Sequence, residues 1–83
     1  MSHETAYGEL LRTLLLPGLQ EPAAFEVKET RAETSVSLLF TVHPDDRGRV
    51  IGRHGSGLGA LRSLLDFAAR QRGDRLSLLL AED

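Results

Sequence analysis

The sequence predicts an α+β fold with its elements in the order α-β-β-α-α-β. Three observations predict it. Apolar residues near the N-terminus recur at helical spacing. Two segments further on alternate apolar with polar residues, the signature of half-buried strands. The string Gly52-Arg53-His54-Gly55 then separates a short helical stretch from a longer one.

Each element follows from local pattern. Tyr7, Leu10, Leu11, Leu14 and Leu15 follow i, i+3, i+4, i+7 and i+8, one face of an amphipathic helix. Ser2 is its expected cap and Pro17-Gly18 its stop. Residues 19–22 are a short connector. Phe25 and Val27 alternate with Glu26 and Lys28. Val36, Leu38, Phe40 and Val42 alternate with Ser37, Leu39 and Thr41. Polar residues 30–34 between these strands read as the turn of a hairpin, and Leu39 falls on the outer sheet face. His43-Pro44 closes the second strand. Pro44-Asp45-Asp46 starts a helix, with proline in the first turn and acids at the positive end of the dipole. Gly52 cuts that helix short, and Val50 and Ile51 are its buried side. Beyond the glycines, Leu58, Leu61, Leu65 and Ala68, with Leu64 and Phe67, describe a helix with a broad apolar face. Ser56 is placed to cap it and Gly73 to end it. Gly57 and Gly59 weaken its start, each by up to ~1 kcal/mol relative to alanine. Residues 76–81 form an apolar run of strand length, and Glu82-Asp83 a solvated tail.

Composition narrows the function. The chain has 83 residues, which is room for one domain spanning residues 1–83. It has no cysteine, so neither a disulfide framework nor a thiolate zinc site is expected, in keeping with a reducing cytoplasm. No basic segment followed by an apolar run marks a signal peptide, and no stretch approaches the roughly 18 apolar residues of a membrane span. Net charge is −2, but it is polarised. Residues 47–75 hold seven arginines and two acids, a net +5, against −7 for the remainder. The positive portion is centred on the glycine string, which points to a polyanionic partner.

The string itself carries the chemistry. Each glycine lets backbone approach a sugar-phosphate chain with no Cβ in the way. The amides of Arg53, His54 and Gly55 are then expected to face phosphate oxygens, beside the positive end of the following helix. Arg53 adds a permanent charge with forked donors, and His54 a neutral donor or a second charge at lower pH.

Val50-Ile51-Gly52-Arg53-His54-Gly55, followed by Leu58 and Leu61-Arg62, resembles the helix–Gly-x-x-Gly–helix unit of the K-homology (KH) RNA-binding domain. The element order resembles the type II form of that fold, and the resemblance covers the whole chain. A protein of this size made of one such domain looks most like the small bacterial KhpA-type proteins. The resemblance implies an α+β type II KH fold, a three-stranded mixed sheet with three helices packed on one face. It implies single-stranded RNA as ligand, the loop clamping the backbone of about four nucleotides. Bases would lie over an apolar groove whose floor or support comes from Val50, Ile51, Leu58 and Val42. Arg47, Arg49 and Arg62 would flank it. With Gly52, Arg53, His54, Gly55 and Ser56, these are the expected RNA-binding residues. Ser56 stands where such proteins often carry a basic residue, so weak binding with little sequence preference is expected. As to partners, the resemblance implies a homodimer or a heterodimer with a KhpB/Jag-type KH–R3H protein, acting as an RNA chaperone or post-transcriptional regulator. The alternative is a degenerate KH domain whose loop is only a tight turn, and which serves as a protein–protein module.

Other motifs fail on context. Gly55-Ser56-Gly57-Leu58-Gly59-Ala60 matches the dinucleotide fingerprint, but that motif needs a strand directly before its first glycine. Here residues 45–49 are mostly charged. His3, His43 and His54 lack metal-site spacing, His3 reading as terminal and solvated. Phe25, Phe40 and Phe67 fall on apolar faces, so no exposed stacking platform is expected. No nucleophile pair is apparent, and neither enzyme activity nor a cofactor is expected.

Overall fold

The alternating segment around Leu38 becomes the centre of the molecule. The computed structural model describes residues 6–82, so Ser2, His3 and Asp83 lie outside the described residues. Its elements are α1 (Ala6–Leu15), β1 (Glu26–Ala32), β2 (Ser35–Thr41), α2 (Pro44–Ile51), α3 (Ser56–Gln71) and β3 (Arg75–Leu80). β2 lies between β1, to which it is antiparallel, and β3, to which it is parallel. This is the mixed three-stranded sheet expected, with the three helices on one face. Val36, Leu38 and Phe40 point from β2 into the helical layer and are fully buried, against Leu11, Leu65 and Ala69 of α1 and α3. Leu39, on the other sheet face, is exposed beside Leu79.

The hairpin is longer than its apolar pattern. Residues 30–34 are not all turn: Thr30, Arg31 and Ala32 pair with Ser37, Val36 and Ser35. Polar residues suffice there because β1 is an edge strand. Only Glu33 and Thr34 remain as the turn, and Glu33 takes the left-handed conformation at φ 56°.

Three devices set the helix ends. His43 does more than end a strand: its Nδ1 accepts the Asp45 amide at 3.0 Å and caps α2. Ser56, expected to cap α3, is already helical; Gly55 holds the cap position without a side-chain bond. At the far end Gly73, at φ 79°, closes a Schellman motif, with Asp74 N–H on the Ala69 carbonyl and Gly73 N–H on that of Arg70.

Phe67 does not lie on the buried face. Its ring is 65% exposed, and Leu64 is 53% exposed. At about 100° per residue, Phe67 is rotated about 200° from buried Leu65, nearly the opposite side of the helix.

Two buried carboxylates stitch distant segments. Asp46 accepts the amides of Gln20 and Glu21 at 2.9 and 3.0 Å, tying α2 to the α1–β1 connector. Asp74 accepts the Tyr7 hydroxyl at 2.5 Å and both terminal nitrogens of Arg31, at 3.1 and 3.0 Å. The Gln20 and Glu21 amides hold Asp46 below the ordinary carboxylate range, and Arg31 and Tyr7 do the same for Asp74. Glu29 is the opposite case. Its carboxylate oxygens are out of solvent and accept no hydrogen bond among the described residues, and burial raises its pKa.

Two outcomes follow for stability. Replacing Glu33 by glycine removes a left-handed strain of about 1–2 kcal/mol at the cost of a looser unfolded chain. Glu33→Gly should therefore gain roughly 0.5–1 kcal/mol and raise the thermal midpoint by about 2–8 °C. An unchanged midpoint would show that the turn is not strained. For Asp74 the folded pKa is lowered, so its contribution is full above the unfolded pKa and is lost as pH falls through the folded value. Asp74→Asn should lower the denaturation midpoint at neutral pH, and the gap to the parent should close in acid. A gap independent of pH would mean that the carboxylate charge is irrelevant.

Candidate nucleic-acid interface

The glycine loop is built by two helix ends that meet backbone to backbone. A Cβ on Gly57 would stand 2.5 Å from the Val50 carbonyl oxygen, and one on Gly52 would stand 2.7 Å from the Gly57 nitrogen. No side chain fits at either place, so the last turn of α2 and the first turn of α3 are in direct contact. Gly57, expected to weaken α3, is therefore demanded by packing. Gly59 has open space beside it.

The residues between the helices must reverse the chain in one short turn. Gly52, His54 and Gly55 take φ values of 76°, 56° and 77°. Arg53 keeps helical angles while His54 is left-handed at φ 56°, ψ 28°. This alternation turns successive N–H groups into one concavity, an arrangement that suits anions. The expected donors are not all available. The Gly55 amide is engaged by the Gly52 carbonyl at 3.2 Å, the Ser56 amide by the Arg53 carbonyl, and the Gly52 amide by that of Gly48 at 2.9 Å. The amides of Arg53 and His54 make no hydrogen bond among the described residues, and both side chains are exposed and unpaired there. The Ser56 hydroxyl is exposed and caps nothing.

Around the loop the expected residues divide between two flanks. Arg62 Nε donates to the Leu78 carbonyl at 3.2 Å, and Arg47 to the Ala81 carbonyl at 2.5 Å. Both therefore sit at β3. Arg62 also lines a cleft of about 250 Å³ with Ser63, Asp66, Leu76 and Leu78. Arg49 instead donates to the Gly18 carbonyl at 3.3 Å, on the α1 side. There Arg49 and Val50 line a second depression of about 300 Å³ with Leu14, Leu19, Gly57 and Leu61. Val42 and Val50 are core residues that support the loop from beneath, whereas Ile51 and Leu58 are half-buried. The structure thus joins Arg47 and Arg62 at one sheet edge and parts Arg49 from them.

Comparison with known proteins gives the family. The family model described as KhpA/KhpB, KH domain, matches residues 8–80. The chain belongs to the KhpA/KhpB KH-domain family. It is similar to the RNA-binding protein KhpA of Caldanaerobacter subterraneus subsp. tengcongensis, 35% identical over 69 residues, 83% of this chain and 92% of that protein. The RNA-binding protein KhpA of Lactiplantibacillus plantarum is 37% identical over 74 residues, 89% of this chain and 86% of that protein. That of Oceanobacillus iheyensis is 30% identical over 66 residues, 80% and 87% of the two chains. No solved structure matches the chain significantly. The three helices and three-stranded mixed sheet are consistent with the type II KH fold expected from the element order.

Sequence reasoning missed Asp46 as a member of this site. It reads as one of two helix-start acids, yet its carboxylate holds α2, and with it the loop entrance, against the connector. Its position after a helix-opening proline carries no signal that separates the two roles.

The two glycines at the start of α3 should respond in opposite directions. Gly59→Ala should stabilise by up to about 1 kcal/mol through helix propensity. Gly57→Ala should destabilise by roughly 1–3 kcal/mol, since backbone must move to admit the methyl group. Chemical denaturation of both variants checks this, and equal effects would refute the backbone contact.

Proposed function

We propose that the chain binds single-stranded RNA by clamping its sugar-phosphate backbone on the Arg53 and His54 amides. The observation that carries this reading is the pair of N–H groups, unengaged among the described residues, in a strained, glycine-bounded turn. An exposed guanidinium and imidazole stand at the same turn. Strain of this kind persists where surrounding structure enforces it, and it clusters at binding sites. The KhpA relatives are named RNA-binding proteins, which supports the same ligand. The donor set is small, so the clamp is weak and reads backbone rather than sequence. Gly52, Gly55 and Ser56 shape it, and Ile51 and Leu58 offer apolar surface to bases. Arg62, with Arg47, extends the positive surface along β3. Arg49 serves a strand that leaves toward α1.

In this reading residues 1–83 act as one KH domain without catalysis, in the cytoplasm, as an RNA chaperone or post-transcriptional regulator. A weak site becomes useful when it is doubled, because linking two sites raises effective concentration. The family's paired partners, a second copy or a KhpB/Jag-type KH–R3H protein, fit that need. Exposed Leu64 and Phe67 favour the pairing as a second role beside the clamp, in place of the degenerate KH domain whose loop is only a tight turn.

The test is binding to short single-stranded RNA. Affinity should fall with salt, with a log–log slope of roughly −1.5 to −3 if about two to four phosphates are neutralised. Changing both Arg53 and His54 to Asp should weaken binding at least about tenfold with the fold intact, since a like charge replaces each donor side chain. Unchanged affinity in that variant would remove the loop from the mechanism.

A further inference from the structure

We propose that the depression on the α1 side of the glycine loop is a nucleotide subsite, which takes the base and phosphate next beyond the clamp on a bound RNA strand. The inference rests on the clamp reading of the loop and extends the strand's path onto α1. Leu14 of α1, Leu19 of its connector and Leu61 of α3, with Arg49, Val50 and Gly57 at the α2–α3 contact, line a space of about 300 Å³. The clamp itself makes no use of this space. Leu14 is 40% exposed there, although it belongs to the apolar face of α1.

The lining matches the chemistry of one nucleotide. The floor is aliphatic, and Arg49 is the one ionised side chain on it. The two depressions along α3 and β3 differ, because Asp66 lines both and Asp74 lines one of them. The α1 side therefore offers an anion a cation with no carboxylate beside it in the lining. A nucleotide carries a ring face and a phosphate close together, and every base has such a face. Arg49 donates one N–H to the Gly18 carbonyl at 3.3 Å, which orders its guanidinium and leaves further donors for a phosphate. Asp46, on the same helix, is buried, and its oxygens accept the Gln20 and Glu21 amides. Those two bonds hold the connector, and with it Leu19, in place before a ligand arrives.

Continuity with the loop decides the occupant. Val50 and Gly57 wall the depression and also make the backbone contact that bends the loop. Arg49 precedes Arg53 by four residues, about 6 Å of helical rise. Phosphates of a stacked strand are spaced about 3.4 Å along its axis. One or two nucleotides beyond the clamp therefore reach Arg49. A strand held at the loop delivers its own phosphate there, which neither a lipid chain nor a folded protein does. The strand then runs from the β3 flank over the loop to α1, and its footprint exceeds the roughly four nucleotides of a single clamp. Aliphatic side chains contact a ring face rather than its hydrogen-bonding edge, so the subsite adds affinity without base preference.

Binding of uridine tetramers and octamers to the full chain is the test. Leu14→Glu should lower octamer affinity at least about fivefold and leave tetramer affinity within about twofold. Leu14→Gln should act in the same direction by a smaller factor. The additional registers of an octamer count equally for all three proteins, so the difference reports the subsite. Leu14 is exposed enough that both variants should keep the parent's circular dichroism. An octamer carrying 4-thiouridine should photo-crosslink to residues 14–19 of the parent, and at least about fivefold less to those of Leu14→Glu. An octamer advantage that survives Leu14→Glu would leave the depression to another occupant and overturn the proposal. So would crosslinks confined to the loop and β3. The variant with Asp at both Arg53 and His54 separates the two readings. Tetramer binding that is lost in that variant supports the clamp whatever the octamer does. If the variant keeps the octamer and its crosslink to residues 14–19, the clamp fails and the α1 contact stands. A parent that binds neither oligomer refutes both.

Discussion

Everything at the candidate site depends on two helix ends touching without side chains between them. The Gly57 α-carbon sits under the Val50 carbonyl, and Gly52 lies against the Gly57 nitrogen. This contact brings the end of α2 and the start of α3 so close that the intervening residues must reverse within a single turn. Positive φ at Gly52, His54 and Gly55 is the geometric result. Glycine bears such angles without cost, whereas His54 bears a strain of about 1–2 kcal/mol. The same reversal leaves two amides without partners among the described residues. Packing, strain and open donors are therefore one arrangement, and a change that separates the helices alters all three.

A domain this small has little apolar core to hold its ends in place, and buried aspartates supplement it. Asp74 gathers Tyr7 from α1 and Arg31 from β1 at the point where α3 gives way to β3. Asp46 holds the connector after α1 against the first turn of α2. Each carboxylate is fully satisfied, which is the condition under which a buried charge supports a fold rather than weakening it. Glu29 has no such partners among the described residues, and burial moves its pKa the other way. The three acids differ in what surrounds them, not in type. The two satisfied ones place α2 relative to α1, and so place the loop.

Periodicity made the architecture legible because burial on one face writes itself into apolar spacing. Leu11 and Leu15 of α1, and Val36, Leu38 and Phe40 of β2, stand where their spacing put them. What the pattern could not show was structure made by polar residues. Thr30, Arg31 and Ala32 continue β1 through backbone pairing, and the half-exposed Arg31 side chain is held by Asp74, far along the chain. Phe67 misled for the converse reason. A phenylalanine near Leu64 and Leu65 suggests burial, although its angular position opposes that of Leu65. At the site, the glycines and the two exposed donor side chains were legible as a motif. The engagement of Gly55, and the separation of Arg49 from Arg62, depend on turns and neighbours that only three-dimensional placement supplies.

A net charge of −2 is compatible with a polyanionic ligand because distance and salt divide the surface. At physiological ionic strength, charges are screened over about 8 Å, while the molecule extends 35 Å along its longest axis. Glu26, Glu29 and Glu33 belong to β1 and its turn, at the sheet edge remote from β3. In the proposed clamp a strand at the glycine loop would meet Arg53 and His54 first, with Arg47 and Arg62 along the β3 side. Those two arginines each use a donor on a carbonyl in β3 or just past its end, which orders the guanidinium before a ligand arrives and leaves further N–H groups for it. Arg53 has no such tether. The geometry therefore divides the cations into one without a tether among the described residues, at the proposed clamp, and tethered ones beside it; under that proposal the neighbourhood of the loop, not the charge of the whole chain, sets the affinity.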